Sequence, residues 1–258
     1  MRLLKRYLSL HLKIALEYKS SFILTLITQG INVLAELIVV YALFDKFKLL
    51  NTYDINEILL GFSILWLGFG IFDVFFRGWD HFDQLIISGN FDTLLIRPRS
   101  LFITVIGSEI AYEKTSIIVI ALGLLIYSFI KVAGIISIAK IVLLILSVIS
   151  AIIFYFSLFI IGAALSFKTI QGLEVVNVFT YGSRQLGQYP LSLFGKTIRI
   201  IFTYVLPLSL INYYPIKFIS GATNNYLYIL LPFSVIILLI ISVIIFKIGL
   251  KSYQGTGS

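Results

Sequence analysis

Asp80, His81 and Asp83 stand together in the run DHFD, and a histidine among carboxylates can hold a metal ion or move a proton. The spacing argues against both. Side chains one or two residues apart on a helix point to different faces, so the three do not converge on one ion or one substrate atom. A solvated loop is the preferred reading. Glu36 and Asp73 are the other acids of interest, because each follows a long apolar run. A carboxylate in the middle of a bilayer costs roughly 2.5–3.5 kcal/mol, so Glu36 is expected to face protein or water rather than lipid. A paired contact between helices is as good a reading of Glu36 as a functional one. Tyr181, Arg184, Gln188 and Tyr189 would suit a lateral substrate entrance, although anchoring at the membrane interface is the commoner use of such residues and is preferred. Asn32, Glu36 and Arg184 are the candidates for a polar translocation path.

Several chemistries have no signature here. The chain has no GxxxxGK[ST] run for binding ATP, no HExxH, no GxSxG and no cysteine, so no catalytic residue and no metal ligand set is assigned.

The elements that must position these residues are membrane elements. The 258 residues are 59% hydrophobic and 12% charged, with a mean hydropathy of +1.03. Soluble domains are less apolar and carry about twice that share of charge, and a soluble fold of this length cannot hide so much apolar surface. Unbroken apolar runs point to helices rather than to the alternating segments of a barrel. The fold class expected is therefore an all-α integral membrane protein.

Residues 1–19 carry Leu3, Leu4, Tyr7, Leu8, Leu12 and Ala15 at helical spacing, with Arg2, Lys5, Arg6, Lys13 and Lys19 supplying cations. That pattern predicts an amphipathic helix on the lipid surface. His11, Lys13 and Glu17 interrupt it too often for a signal peptide. Residues 20–258 are expected to form a single domain of six transmembrane helices, at about 20–43, 57–76, 115–130, 139–165, 198–211 and 226–248. The fifth is short for a crossing and contains Pro207. Polar loops are expected at 77–114 and 166–197.

Six spans put both termini on one side. Fifteen of the twenty Lys and Arg residues then fall on the side of the termini and the two polar loops, which assigns that side to the cytoplasm. The net charge of +8 follows from this bias. No basic patch is interleaved with stacking aromatics, so no nucleic-acid partner is expected.

Within the first polar loop, SGNFDTLLIRPRS resembles a signature of the type 2, exporter-class ABC transporter permeases, with Gly89, Asp92, Leu95, Arg97 and Pro98 at the motif positions. QYPLSLFGKTIRIIFTYVLPLSLINYYP is similar to that family's tract before and through the fifth span, with Pro190, Arg199, Pro207 and Pro215 in matching places. The terminal SYQGTGS is similar to its C-terminal tail, so the resemblance runs the length of the chain.

The resemblance implies a permease subunit in the plasma membrane that exports a drug-like, lipid-like or peptide substrate. It implies a second permease, identical or homologous, and two separate ATPase subunits that carry the ATP and Mg, with no cofactor on this chain. The first polar loop would contain the coupling helix that docks on the ATPase. By position, that surface would comprise Trp79, Asp80, Phe82, Asp83, Gly89, Phe91, Asp92, Leu95, Arg97 and Pro98. Three alternatives stay open on the residues alone. An ion-coupled transporter would use Glu36 or Asp73. A membrane enzyme acting on lipid would use Asp80, His81 and Asp83. An assembly factor would need none of these.

Overall fold

The computed structural model describes residues 2–46, 54–169, 172–187, 189 and 194–253. Lys48, Gln188, Pro190 and the tail beyond Tyr253, which entered the sequence reading, lie outside the described residues.

Among the described residues every regular element is helical. In chain order they are α1 (Arg2–Glu17), α2 (Lys19–Lys46), α3 (Ile55–Phe75), a 3₁₀ turn (Arg77–Trp79), α4 (Phe82–Ile87), α5 (Asn90–Leu95) and α6 (Leu101–Ser108). A second 3₁₀ turn (Tyr112–Lys114) leads into α7 (Thr115–Ala133), α8 (Ile138–Ser166) and α9 (Gly172–Leu186). Then follow α10 (Lys196–Ile200), a π-helical turn (Ile201–Val205), α11 (Leu208–Ile211), α12 (Tyr213–Ile219), a 3₁₀ segment (Tyr226–Ser234) and α13 (Val235–Lys251). Among the described residues, five stretches are long and apolar enough to cross a membrane: Lys19–Phe44, Ile55–Phe75, Tyr112–Ala133, Ile138–Ser166 and Tyr226–Lys251. The expectation of an all-α integral membrane protein holds.

α3 is the axis of the bundle. It is apolar on all sides, which in a helix means burial all round. α7 and α8 flank it, and α13 packs on α8. Small residues set these crossings. A Cβ on Gly68 would stand 2.5 Å from Ala151 of α8, and one on Gly70 would stand 2.8 Å from Ile117 of α7. Asp54 starts α3 by accepting a hydrogen bond from the Asn56 amide at 3.0 Å. At the other end, the Ala111 amide donates to the Val74 carbonyl at 3.0 Å and ties the loop back to the helix.

The expected fifth span is the main correction. Residues 198–211 do not form one helix. The Leu206 amide bonds to the Ile201 carbonyl five residues back, giving a π turn. Pro207 then removes the next amide donor. The chain restarts as α11 and α12, which are packed into the bundle beside α8 and the 226–234 segment.

Within the expected polar stretch 166–197, Gly172–Leu186 is a helix lying along α8. Gly162 lets Leu173 and Val176 approach it closely. At the far end of α9, a Cβ on Gly187 would stand 2.7 Å from Leu65, midway along α3. The Asn212 side-chain amide donates to the Gly187 carbonyl at 2.8 Å, joining α9 to the broken segment. Non-helical backbone at this depth is tolerated where protein surrounds it.

α1 docks on α6. Tyr7 lies flat against Gly107, where no side chain would fit, and His11 Nε2–H donates to the Gly107 carbonyl at 3.0 Å. Lys5, Arg6 and Lys13 remain on its exposed face.

Candidate functional site

Two groups of charged residues and one aromatic anchor define the candidate functional regions. The first group lies where α3 ends. Arg77 Nη1 donates to Asp73 Oδ1 and Arg77 Nε donates to Glu109 Oε1, each at 2.8 Å. Lys114 Nζ donates to Asp73 Oδ2 at 2.6 Å, and the His81 Nδ1–Glu109 Oε2 pair is also 2.6 Å apart. Asp73 is almost fully buried, so its two cations are what make its ionised form tolerable there. Together these contacts staple the end of α3 to residues 109–114 across the loop.

The electrostatics follow from the geometry. The hydrogen bond to Glu109 raises the His81 pKa against the opposing effects of burial and Arg77. Burial pushes Glu109 up, but the bond and charge of His81 and the charge of Arg77 outweigh it and hold the carboxyl below its usual range. Asp80 is raised, chiefly by burial and by the neighbouring Asp73. His81 thus turns to Glu109, 28 residues away, rather than to its neighbours in DHFD. Asp83, in the first turn of α4, accepts from the Gln84 amide at 2.8 Å. Among the described residues no set of three or more His, Cys, Asp or Glu could hold a metal ion.

Trp79, Phe82 and Phe91 correct the expected docking surface. All three are completely buried. Trp79 and Phe82 stack with ring centres 5.7 Å apart, and Phe82 meets Phe91 edge-on at 5.1 Å. Phe246 of α13 closes on Trp79 at 5.2 Å, and Phe167 closes on Phe91 at 5.5 Å. Aromatic residues in a polar loop are here a core that pins the loop to the bundle. Tyr253 completes the anchor. Its ring packs edge-on against Phe91 at 5.1 Å, and its hydroxyl donates to Asp92 Oδ1 at 2.9 Å. The motif carboxylate is therefore held from within the chain.

Gly89 has φ of +69° and makes the turn between α4 and α5, a conformation that side-chain-bearing residues rarely adopt. What the loop does present is Leu95, Arg97 and Pro98, together with Ile87, Ile96 and Arg99, all exposed. Ile96 is the most open of the apolar ones, at 83%. Ile87 and Ile96 were missed on sequence. Their signal was present: two bare isoleucines in a polar loop have no lipid to bury in.

The second group lies at membrane depth. Arg184 of α9 donates from Nη2 to Glu36 Oε1 of α2 at 3.1 Å, joining residues 148 positions apart. Its guanidinium lies 4.1 Å over the Trp66 ring, 4.8 Å from Phe69 and 5.3 Å from Tyr181. Trp66 is near the middle of α3. Of the three residues proposed for a polar path, Glu36 and Arg184 are brought together, while Asn32 stands exposed one turn away on α2.

A bundle of apolar membrane helices with embedded ion pairs defines a multi-pass membrane protein. Residues 31–257 match the family of ABC-2 family transporter proteins, and the chain belongs to it. It is a membrane subunit of an ABC transport system. Among curated proteins and solved structures, none matches the chain.

Proposed function

We propose that this chain is the permease of an exporter in the plasma membrane, moving an amphiphilic substrate with energy from ATP hydrolysed on two separate ATPase subunits. A second permease, identical or homologous, completes the pathway. The observation that carries the reading is the exposed rim of α4, α5 and the turn after it: Ile87, Leu95 and Ile96 beside Arg97, Pro98 and Arg99. Apolar and cationic side chains on a rigidly anchored loop suit a docking surface on a soluble partner. The aromatic anchor beneath then transmits the partner's movement into α8 and α13.

In this reading α9, the π turn, α11 and α12 together make one interrupted crossing. With the five continuous spans this returns both termini to the cytoplasm, in line with the Lys and Arg bias. The ion-coupled alternative needs carboxylates free to titrate, whereas Glu36 is paired with Arg184 and Asp73 with Arg77 and Lys114. The lipid-enzyme alternative needs Asp80, His81 and Asp83 to act on one atom, whereas His81 pairs with Glu109 and Asp83 accepts from its own helix.

The chain has no cysteine, so a single Ile96→Cys variant gives one clean attachment point. A maleimide cross-linker placed there in the purified complex is expected to capture the ATPase. Capture of no ATPase in a complex that still hydrolyses ATP overturns the docking assignment.

A further inference from the structure

The surroundings of Arg184 assign a ligand chemistry, on the reading of this chain as a permease. Arg184 makes one bond, through Nη2, to Glu36. Its Nε is buried and meets no acceptor among the described residues, and the same is true of Trp66 Nε1 and the Tyr155 hydroxyl. These donors belong to one aromatic cluster. Arg184 lies over Trp66, and Phe69 joins Arg184 to Tyr155, its ring 5.2 Å from the Tyr155 ring. A buried donor without an acceptor is costly, and here the shortfall is all of one kind. An arginine, an indole and a phenol call for an oxygen-rich anion such as phosphate, sulfate or carboxylate. Glu36 supplies a single oxygen and is only half-buried, on the helix with the least covered face. It is placed to be exchanged. Tyr181, 42% exposed, leaves the cluster open on one flank for an apolar tail.

We propose that Arg184, Trp66 and Tyr155 form a membrane-depth subsite for the anionic headgroup of an amphiphile, with Glu36 as the resident counter-ion that the headgroup displaces.

The test is binding of dodecyl phosphate to the full chain in a nonionic detergent, followed by intrinsic tryptophan fluorescence, since Trp66 is part of the site. A saturable change is expected with dodecyl phosphate, and none with dodecyltrimethylammonium or inorganic phosphate. Arg184→Gln is expected to weaken binding about tenfold or more, the scale of one charged hydrogen bond. Glu36→Gln, which removes the competitor, is expected to tighten it. A purely structural ion pair would not produce that gain. Lys5→Gln with Lys13→Gln leaves binding unchanged if the site is not the basic face of α1.

An equal response to the cationic detergent or to inorganic phosphate overturns the assignment. So does a Glu36→Gln variant that binds no tighter, or loss of binding in the α1 variant. No ATPase is needed for this assay. Failure here with successful cross-linking at Ile96 removes the headgroup subsite alone, and the reverse result removes the docking assignment alone.

Discussion

Asp73 and Glu36 are both carboxylates on long apolar helices, and the chain satisfies them on different terms. Asp73 sits at the end of α3 in the fully protein-lined interior, held by two cations at 2.8 and 2.6 Å. Its partner Arg77 goes on to Glu109, and Glu109 to His81, so the charges form a chain that closes over the end of the helix. Glu36 sits on α2, the least covered of the crossing helices, with one cation at 3.1 Å. Its partner Arg184 leans on aromatic rings rather than on further carboxylates. The first arrangement is over-determined, and removing one member leaves buried charge. The second is a single contact between two helices, and Arg184 without Glu36 keeps only its aromatic rings. The first therefore fits a structural staple, and the second fits a contact that opens in use.

The comparison is broken most directly by neutralising each carboxylate in turn. Asp73→Asn leaves Lys114 and one end of Arg77 facing a neutral amide in a buried place. Breaking a buried pair from one side costs about 3–5 kcal/mol, and the Glu109 bond to Arg77 holds the loss near the low end. Thermal unfolding of the full chain in detergent is expected to show a large fall in midpoint. A variant as stable as the parent would mean that the staple is not what holds the loop to α3.

Glu36→Gln is expected to cost about 1 kcal/mol or less in the same assay. The pair is partly exposed, so its Coulomb gain is modest. The substitution also removes a charge that is costly at this depth, and the Arg184 guanidinium keeps its aromatic support. A loss as large as that of Asp73→Asn would erase the distinction between the two groups and with it the exchangeable counter-ion.

The membrane and the helical class were legible in the sequence, because hydropathy and charge bias are local properties that need no tertiary knowledge. Gly89, Arg97 and Pro98 stood out through the motif resemblance instead. Side-chain direction was not. Trp79, Phe82 and Phe91 read as surface because their neighbours are polar, yet they point inward to rings contributed by Phe167 and Phe246 from distant helices. The pairing of Glu109 with His81 and Arg77 spans about thirty residues of loop, which no periodicity encodes. The break within 198–211 was legible in part, through Pro207. Residues 198–211 are apolar enough for a span, and hydropathy does not reveal a π turn. α9, with Glu174 and Arg184 beside its apolar residues, reads as an interfacial helix, although tertiary contacts place its end against the middle of α3.

The smallest effect expected is the pH dependence of the staple, and its sign follows from the two pKa shifts. His81 has a pKa raised above its ordinary 6.5, so the stability it contributes is complete below that value and is lost as pH rises through the raised native value. Glu109 has a pKa lowered from 4.5, so its contribution is present above that value and is lost as pH falls through the depressed native value. Arg77 and Asp80 also face His81. The guanidinium opposes protonation and the carboxylate favours it, and neither is as strong as the bond to Glu109. Stability is therefore greatest between the ordinary values of the two groups, and it declines on the alkaline side as His81 gives up its proton. The size is under about 1 kcal/mol, because both side chains are partly open to solvent. Unfolding midpoints measured from pH 5.5 to about 9 are expected to slope downward in the parent chain and to flatten in His81→Gln. Glu36→Gln leaves the His81–Glu109 pair in place, so it should retain the parental slope. A slope that survives His81→Gln would move the titrating group elsewhere and leave the two clusters indistinguishable by pH.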